Sequence, residues 1–212
     1  MSSLKDMLKD IRKELTAKEK VRESGYNEMR KAISFSKQAI LQIHQKRLKE
    51  AKRLIEKATE IITKLRKDSV SYPEIIHSGL LSAALQEYSE ANIFLKLVEE
   101  SKFITPKEIS VPSIDYVLGL ADVIGEYRRM TLDALREGEV EKSEKCLQVM
   151  DEIYVELSAM DEAYMLVPGL RRKCYGARKI IEATRGDVTQ EIRRASLEKH
   201  LKRFERLVKE KR

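Results

Sequence analysis

Tryptophan is absent from this 212-residue sequence, and cysteine (two), proline (four) and glycine (eight) are scarce. So few helix-breaking residues leave little punctuation, which favours a small number of long helices. No run of 18 apolar residues occurs and mean hydropathy is −0.46, so a membrane-spanning helix is excluded. The opening residues Met1-Ser2-Ser3-Leu4-Lys5-Asp6 lack an apolar signal core and carry an early acid, which argues against export and for a cytoplasmic location. Cys146 and Cys174 match no CxxC spacing and suggest no disulfide framework. There is also no Gly-rich phosphate loop and no zinc-ligand pattern.

What the chain does have is charge. It carries 42 Lys+Arg against 35 Asp+Glu, a formal +7. The distribution is uneven. Residues 1–70 hold 19 basic and 10 acidic side chains, residues 71–186 hold 14 and 20, and residues 187–212 hold 9 and 5. An acidic middle therefore lies between two basic arms. Solvated helix faces laced with local ion pairs account for this, and so does a surface that holds nucleic acid. At this length one domain spanning 1–212 is expected, burying roughly 70% of its unfolded surface.

Apolar residues recur at three- and four-residue steps throughout, and no segment alternates with period two, so the predicted fold is all-α with six to seven mostly long helices. The series Ile33, Ile40, Ile43, Leu48, Ala51, Leu54, Ile55, Ala58, Ile61, Ile62, Leu65 predicts one helix over about 22–66. Ser71 and Pro73 suit the start of a second, reaching about 101. Thr105-Pro106-Lys107-Glu108 reads as a capping box on a short turn. Further helices are expected over about 113–136, closed by Gly138, over 140–165, and from 170 to near 209 after the turn Val167-Pro168-Gly169.

Two segments could carry chemistry. In Leu80 to Val98 the apolar residues cover most of the helix, and Glu87 and Glu90 share its apolar phase one turn apart. Buried carboxylates need cations or strong donors, so this is either a boundary ion pair, with Lys96 or an arginine, or a functional site. In VLGLADVIGEYRRM, Asp122 and Glu126 lie four apart among Gly119 and Gly125, with Arg128 and Arg129 placed to pair with the acids or to contact phosphate. Glycines inside a helix permit close approach of a neighbouring helix or of a ligand. Four carboxylates from two helices, with oxygen ligands only, suit Mg²⁺ or Mn²⁺. A di-iron bundle needs two E-x-x-H motifs, and only Glu74-Ile75-Ile76-His77 is present. The run Arg171, Arg172, Lys173, Cys174, Tyr175, Gly176, Ala177, Arg178 fits a phosphate-binding surface or a solvated face.

The stretches Leu85-Gln86-Glu87-Tyr88-Ser89-Glu90-Ala91, Asp115 to Glu126, and Leu170-Arg171-Arg172-Lys173 with Gly176 and Arg178 resemble the translin superfamily, and its TRAX branch more than translin itself. The resemblance covers about residues 21–195 and leaves a charged helical tail, about 196–212, without a counterpart. The segment 103–115 is much shorter than in animal TRAX. The resemblance implies an all-helical protomer and a closed, roughly octameric shell around single-stranded RNA or a short duplex. The shell would be a homo-oligomer or would include a translin-like second subunit. It also implies a Mg²⁺-dependent endoribonuclease, with Mn²⁺ as a substitute, whose E-x-x-E and D-x-x-x-E acids fall on Glu87, Glu90, Asp122 and Glu126. Basic residues facing the RNA would include Arg22, Arg30, Lys31, Lys37, Arg171, Arg172, Lys173 and Arg178. The alternative is a translin-like protein that binds single-stranded nucleic acid without cutting it.

Overall fold

Between Ile43 and Leu48 the apolar series takes a step of five residues, out of phase with a helix, and there the chain turns back. The computed structural model describes residues 3–71 and 79–210. Among these residues are six α-helices and no strand: α1 (Leu4–His44), α2 (Leu48–Ser71), α3 (Gly79–Glu100), α4 (Ser113–Arg136), α5 (Val140–Ser158) and α6 (Leu170–Glu210), with a short 3-10 turn at Asp161–Met165. The all-α expectation holds. None of these helices is long and apolar enough to cross a membrane.

The single helix predicted over 22–66 is two helices, and the first begins at Leu4. Ser3 and Asp6 form a capping box at its start. Its end is a Schellman turn, with the amide of Arg47 donating to the Gln42 carbonyl (2.9 Å) and that of Lys46 to Ile43 (2.9 Å). The left-handed position, φ +61°, is filled by Lys46 rather than glycine, so the usual stop signal is missing. The same hydrogen-bond pattern ends α4, where Gly138 takes φ +77° as predicted. Helix α5 stops at Ser158, seven residues short of expectation. The residues beyond offer no buried stripe to hold another turn, with Met165 and Leu166 exposed. The Asp161 carboxylate instead accepts the Glu162 amide (2.9 Å). Helix α6 runs unbroken through Gly186. The predicted helix start at Ser71 and Pro73, and the Glu74–His77 pattern, involve residues 72–78, outside the described residues.

Two compact units divide the chain, Met1–Gly119 and Leu120–Arg212. In the first, α1 packs along α2 and α3, and α2 also meets α3. Met29, Ala32, Ala39, Ile43, Ala51, Ala58, Ile62, Ile93 and Phe94 fill this core. Thr59 and Tyr88 share a 2.8 Å hydroxyl hydrogen bond, and the capping box at Thr105 closes as expected, with Glu108 accepting the Thr105 amide at 2.7 Å. In the second unit α5 packs on α6, and Val123, Ile124, Met150, Ile153, Leu157, Leu170 and Ile181 are buried.

Candidate functional site

Helix α3 is apolar around most of its circumference, so Ser89, Glu90 and Asn92 are drawn into the core. Ser89 and Asn92 satisfy themselves on their own helix, donating to the carbonyls of Leu85 (2.7 Å) and Tyr88 (2.8 Å). Glu90 is buried at 7% exposure, the inward position its phase predicted. Glu87, one turn away, is half-buried and lies 3.2 Å from the Lys37 ammonium on α1. Lys96 instead pairs with Glu100, so the counter-charge beside Glu87 comes from another helix.

Gly119 explains how α4 reaches this turn. A Cβ at position 119 would sit 2.7 Å from the Gln86 carbonyl oxygen, 2.8 Å from Ser89 Cβ and 2.9 Å from the Glu90 amide nitrogen. The helix therefore lies directly on the α3 backbone that carries Glu87 and Glu90. Gly125 meets nothing within 4 Å. Close approach accounts for the first glycine and not the second. In the first turn of α4, Asp115 is buried and accepts a 2.5 Å hydrogen bond from Ser82. Burial pushes its carboxyl above the ordinary range, and the Ser82 hydroxyl pulls the other way.

In the second unit, Asp122 and Glu126 are both half-buried, and Asp122 accepts a hydrogen bond from the Lys173 ammonium on α6. Arg128 is half-buried and turns to α6 rather than to these acids. It donates to the Thr184 hydroxyl (2.7 Å) and the Ile180 carbonyl (3.1 Å), tying α4 to α6. Thr184 is itself fully buried. Arg129 is exposed. Cys146 and Cys174 are buried, and burial pushes both thiols up.

Of the basic residues read as phosphate contacts, Arg22, Arg30, Lys31, Lys37, Arg171, Arg172 and Arg178 are exposed, and Lys173 is half-buried. Several already hold acids on their own helices: Arg22 with Glu19 (2.8 Å), Lys31 with Glu28 (2.8 Å) and Arg178 with Glu182 (2.9 Å). Such exposed pairs contribute little to stability. Lys37 and Lys173 differ, because each neutralises one of the four candidate acids. Nothing in the local pattern signalled these two pairings, since each joins residues about fifty apart. Among the described residues no three His, Cys, Asp or Glu side chains stand close enough together to hold a metal ion.

Residues 3–207 match the translin family. This chain belongs to that family. An uncharacterized protein of Methanocaldococcus jannaschii, MJ0175, is 35% identical over 153 residues, spanning 71% of this chain and 68% of the relative. Among solved structures, AfC3PO is 33% identical with a TM-score of 0.78, over 87% of this chain and 96% of that one. The AfC3PO–duplex RNA complex is 32% identical with a TM-score of 0.76 over the same shares. Apo-NeC3PO, at 22% identity and a TM-score of 0.80, covers 90% of this chain and all of its own, and so shares the fold. The translin-family assignment thus rests on nearly the whole chain, including most of the tail that the sequence motifs left without a counterpart.

Proposed function

We propose that this translin-family chain binds RNA and cleaves it as a divalent-metal-dependent endoribonuclease, in the manner of the TRAX branch. The observation that carries the reading is Glu90, a carboxylate buried on α3 at the turn onto which Gly119 seats α4. Asp122 and Glu126 lie four residues apart on α4, a spacing that puts the two carboxylates on one face of that helix. RNA is the favoured ligand because a 32%-identical relative was solved with duplex RNA.

The four acids offer only carboxylate oxygens, the donors a hard divalent cation takes; no three of them stand close together among the described residues, so the site requires them to be drawn together around the ion. Glu87, Glu90, Asp122 and Glu126 would hold Mg²⁺ or Mn²⁺, which when bound supplies Lewis-acid stabilisation of charge on the scissile phosphate and the departing oxygen. The residues of the chain do the rest. Lys37 and Lys173 now neutralise Glu87 and Asp122. Loading the acids with a cation would release both ammonium groups towards the phosphate backbone. The exposed Arg30, Arg171 and Arg172 add sequence-independent, salt-sensitive contacts. Attack by water rather than by the neighbouring 2′-hydroxyl leaves 5′-phosphate and 3′-hydroxyl ends.

The test is cleavage of labelled single-stranded RNA with Mg²⁺ or Mn²⁺, repeated with EDTA and with Glu126→Ala. Loss of cleavage in both, with RNA binding retained by the variant, is expected. Undiminished cleavage by Glu126→Ala would remove the assignment. The lysine pairings favour a second reading, a non-catalytic RNA-binding protein in which these acids only hold Lys37 and Lys173. It predicts binding without metal-dependent cleavage.

A further inference from the structure

The two ends of the chain are long helical tips without cover. Every described residue from Ser3 to Lys20 on α1 is exposed, and burial on that helix begins at Gly25. On α6 the last deeply buried residue is Val188, and residues 196–207 are all exposed. A solvated helix of this kind should be polar on every face. Neither tip is. On α1 the residues Leu4, Leu8, Ile11 and Leu15 are 49–68% exposed, and on α6 Leu197, Leu201 and Phe204 are 54–66% exposed. Both series step by four, three and four or by four and three, the seam of a coiled coil.

We propose that the α1 tip of one copy of this chain packs antiparallel on the α6 tip of a second copy. In that register Leu8 faces Phe204, Ile11 faces Leu201 and Leu15 faces Leu197. The residues flanking the seam decide the partner. On one side Lys5 faces Glu205 and Arg12 faces Glu198; on the other Met7 faces Leu207 and Glu14 faces His200. Self-pairing reverses the sign. Two α1 tips packed antiparallel set Lys5 against Arg12 twice, and two α6 tips set Glu198 against Glu205 twice. A parallel arrangement of α1 on α6 places Met7 against Glu205 and Arg12 against His200, which matches neither charge nor polarity. Only the antiparallel, unlike pairing buries both seams with opposite charges along one edge. Lys5, Arg12 and Glu205 form no ion pair with another described residue, so those charges are available; Glu198 holds only the exposed Arg194, at 3.4 Å. Each tip is exposed within its own chain, and the match of seam and flanking charge between the two tips is what selects a second copy as the partner. Each chain offers one tip of each kind, so the contact is heterologous and builds a closed ring where its rotation closes.

The experiment uses full-length chains. One carries Ile11→Cys, the other Leu201→Cys, with distinguishable tags, and the two are co-expressed and oxidised. Wild type serves as background, its two thiols being buried. A disulfide-linked two-chain species from the mixed pair, absent from either variant alone, is expected. Arg12→Glu or Glu198→Arg added to its respective chain should lower the yield about fivefold, the loss of roughly one favourable ion pair, and the two together should restore it. Equal linkage in either variant alone, no linkage in the mixture, or no rescue by the double reversal would each overturn the proposal. Unchanged helical content by circular dichroism confirms that the variants fold. The outcome is independent of ribonuclease activity.

Discussion

Replacing Gly119 by alanine adds one methyl group at the point where α4 lies on α3. In an open helix interior this change is favourable by up to about 1 kcal/mol. At position 119 the new Cβ would stand 2.7 Å from a backbone oxygen, 2.8 Å from Ser89 Cβ and 2.9 Å from a backbone nitrogen. Ordinary carbon contacts lie near 3.5–4.0 Å, so the overlap approaches about 1 Å. Two of the three neighbours are main-chain atoms inside a helix and cannot swing aside. Overpacking of this sort typically costs about 1–3 kcal/mol. After the propensity gain, a net loss of about 1–2 kcal/mol is expected, or about 2–8 °C in Tm for a chain of this size. Gly125→Ala is the internal control, on the same helix with nothing within 4 Å. It should gain about 0.5–1 kcal/mol. Thermal and urea unfolding followed by circular dichroism, at one protein concentration, measures both. If Gly119→Ala stabilises the protein as Gly125→Ala does, the close approach of α4 to α3 is wrong, and with it the seating of the carboxylate turn.

Asp115 supplies a pH test. Its buried carboxyl binds a proton more tightly in the folded than in the unfolded chain, so its contribution is fully present at acid pH and is lost as pH rises through the raised folded value. Asp115→Asn, which can still accept from Ser82, should therefore gain stability relative to wild type as pH rises from 4 to 7; an advantage that is flat or shrinks with pH refutes the assignment. Ser36 Oγ is fully buried without a hydrogen-bond partner among the described residues, so Ser36→Ala should raise stability by about 1 kcal/mol in urea unfolding, and a loss would reveal a missing partner. Cys146 and Cys174, buried with thiols pushed up, should resist alkylation in the native state and react only on unfolding; rapid native modification of either would contradict its burial.

Much of the architecture was legible in the chain because helical phase and cap chemistry are local. Gly138, Gly169 and the Thr105–Glu108 box each did what their residue types permit. The turn at Lys46 was not legible from glycine, since a lysine occupies the left-handed position there. Its trace was the five-residue step from Ile43 to Leu48. The amino-terminal half of α1 escaped for a related reason: its apolar seam is exposed, so no core confirms it.

By itself, then, the sequence determined the helical class, the phase that turns Glu90 inward, and the segregation of basic arms from an acidic middle. These depend on periodicity and composition, which act within a few turns of one helix. Tertiary structure alone decided that Gly119 and not Gly125 is a contact, that Arg128 ties α4 to α6, and that Lys37 and Lys173 neutralise Glu87 and Asp122. Each of those joins positions roughly 30 to 56 residues apart in the chain, where no local pattern relates the two side chains and only packing brings them into reach.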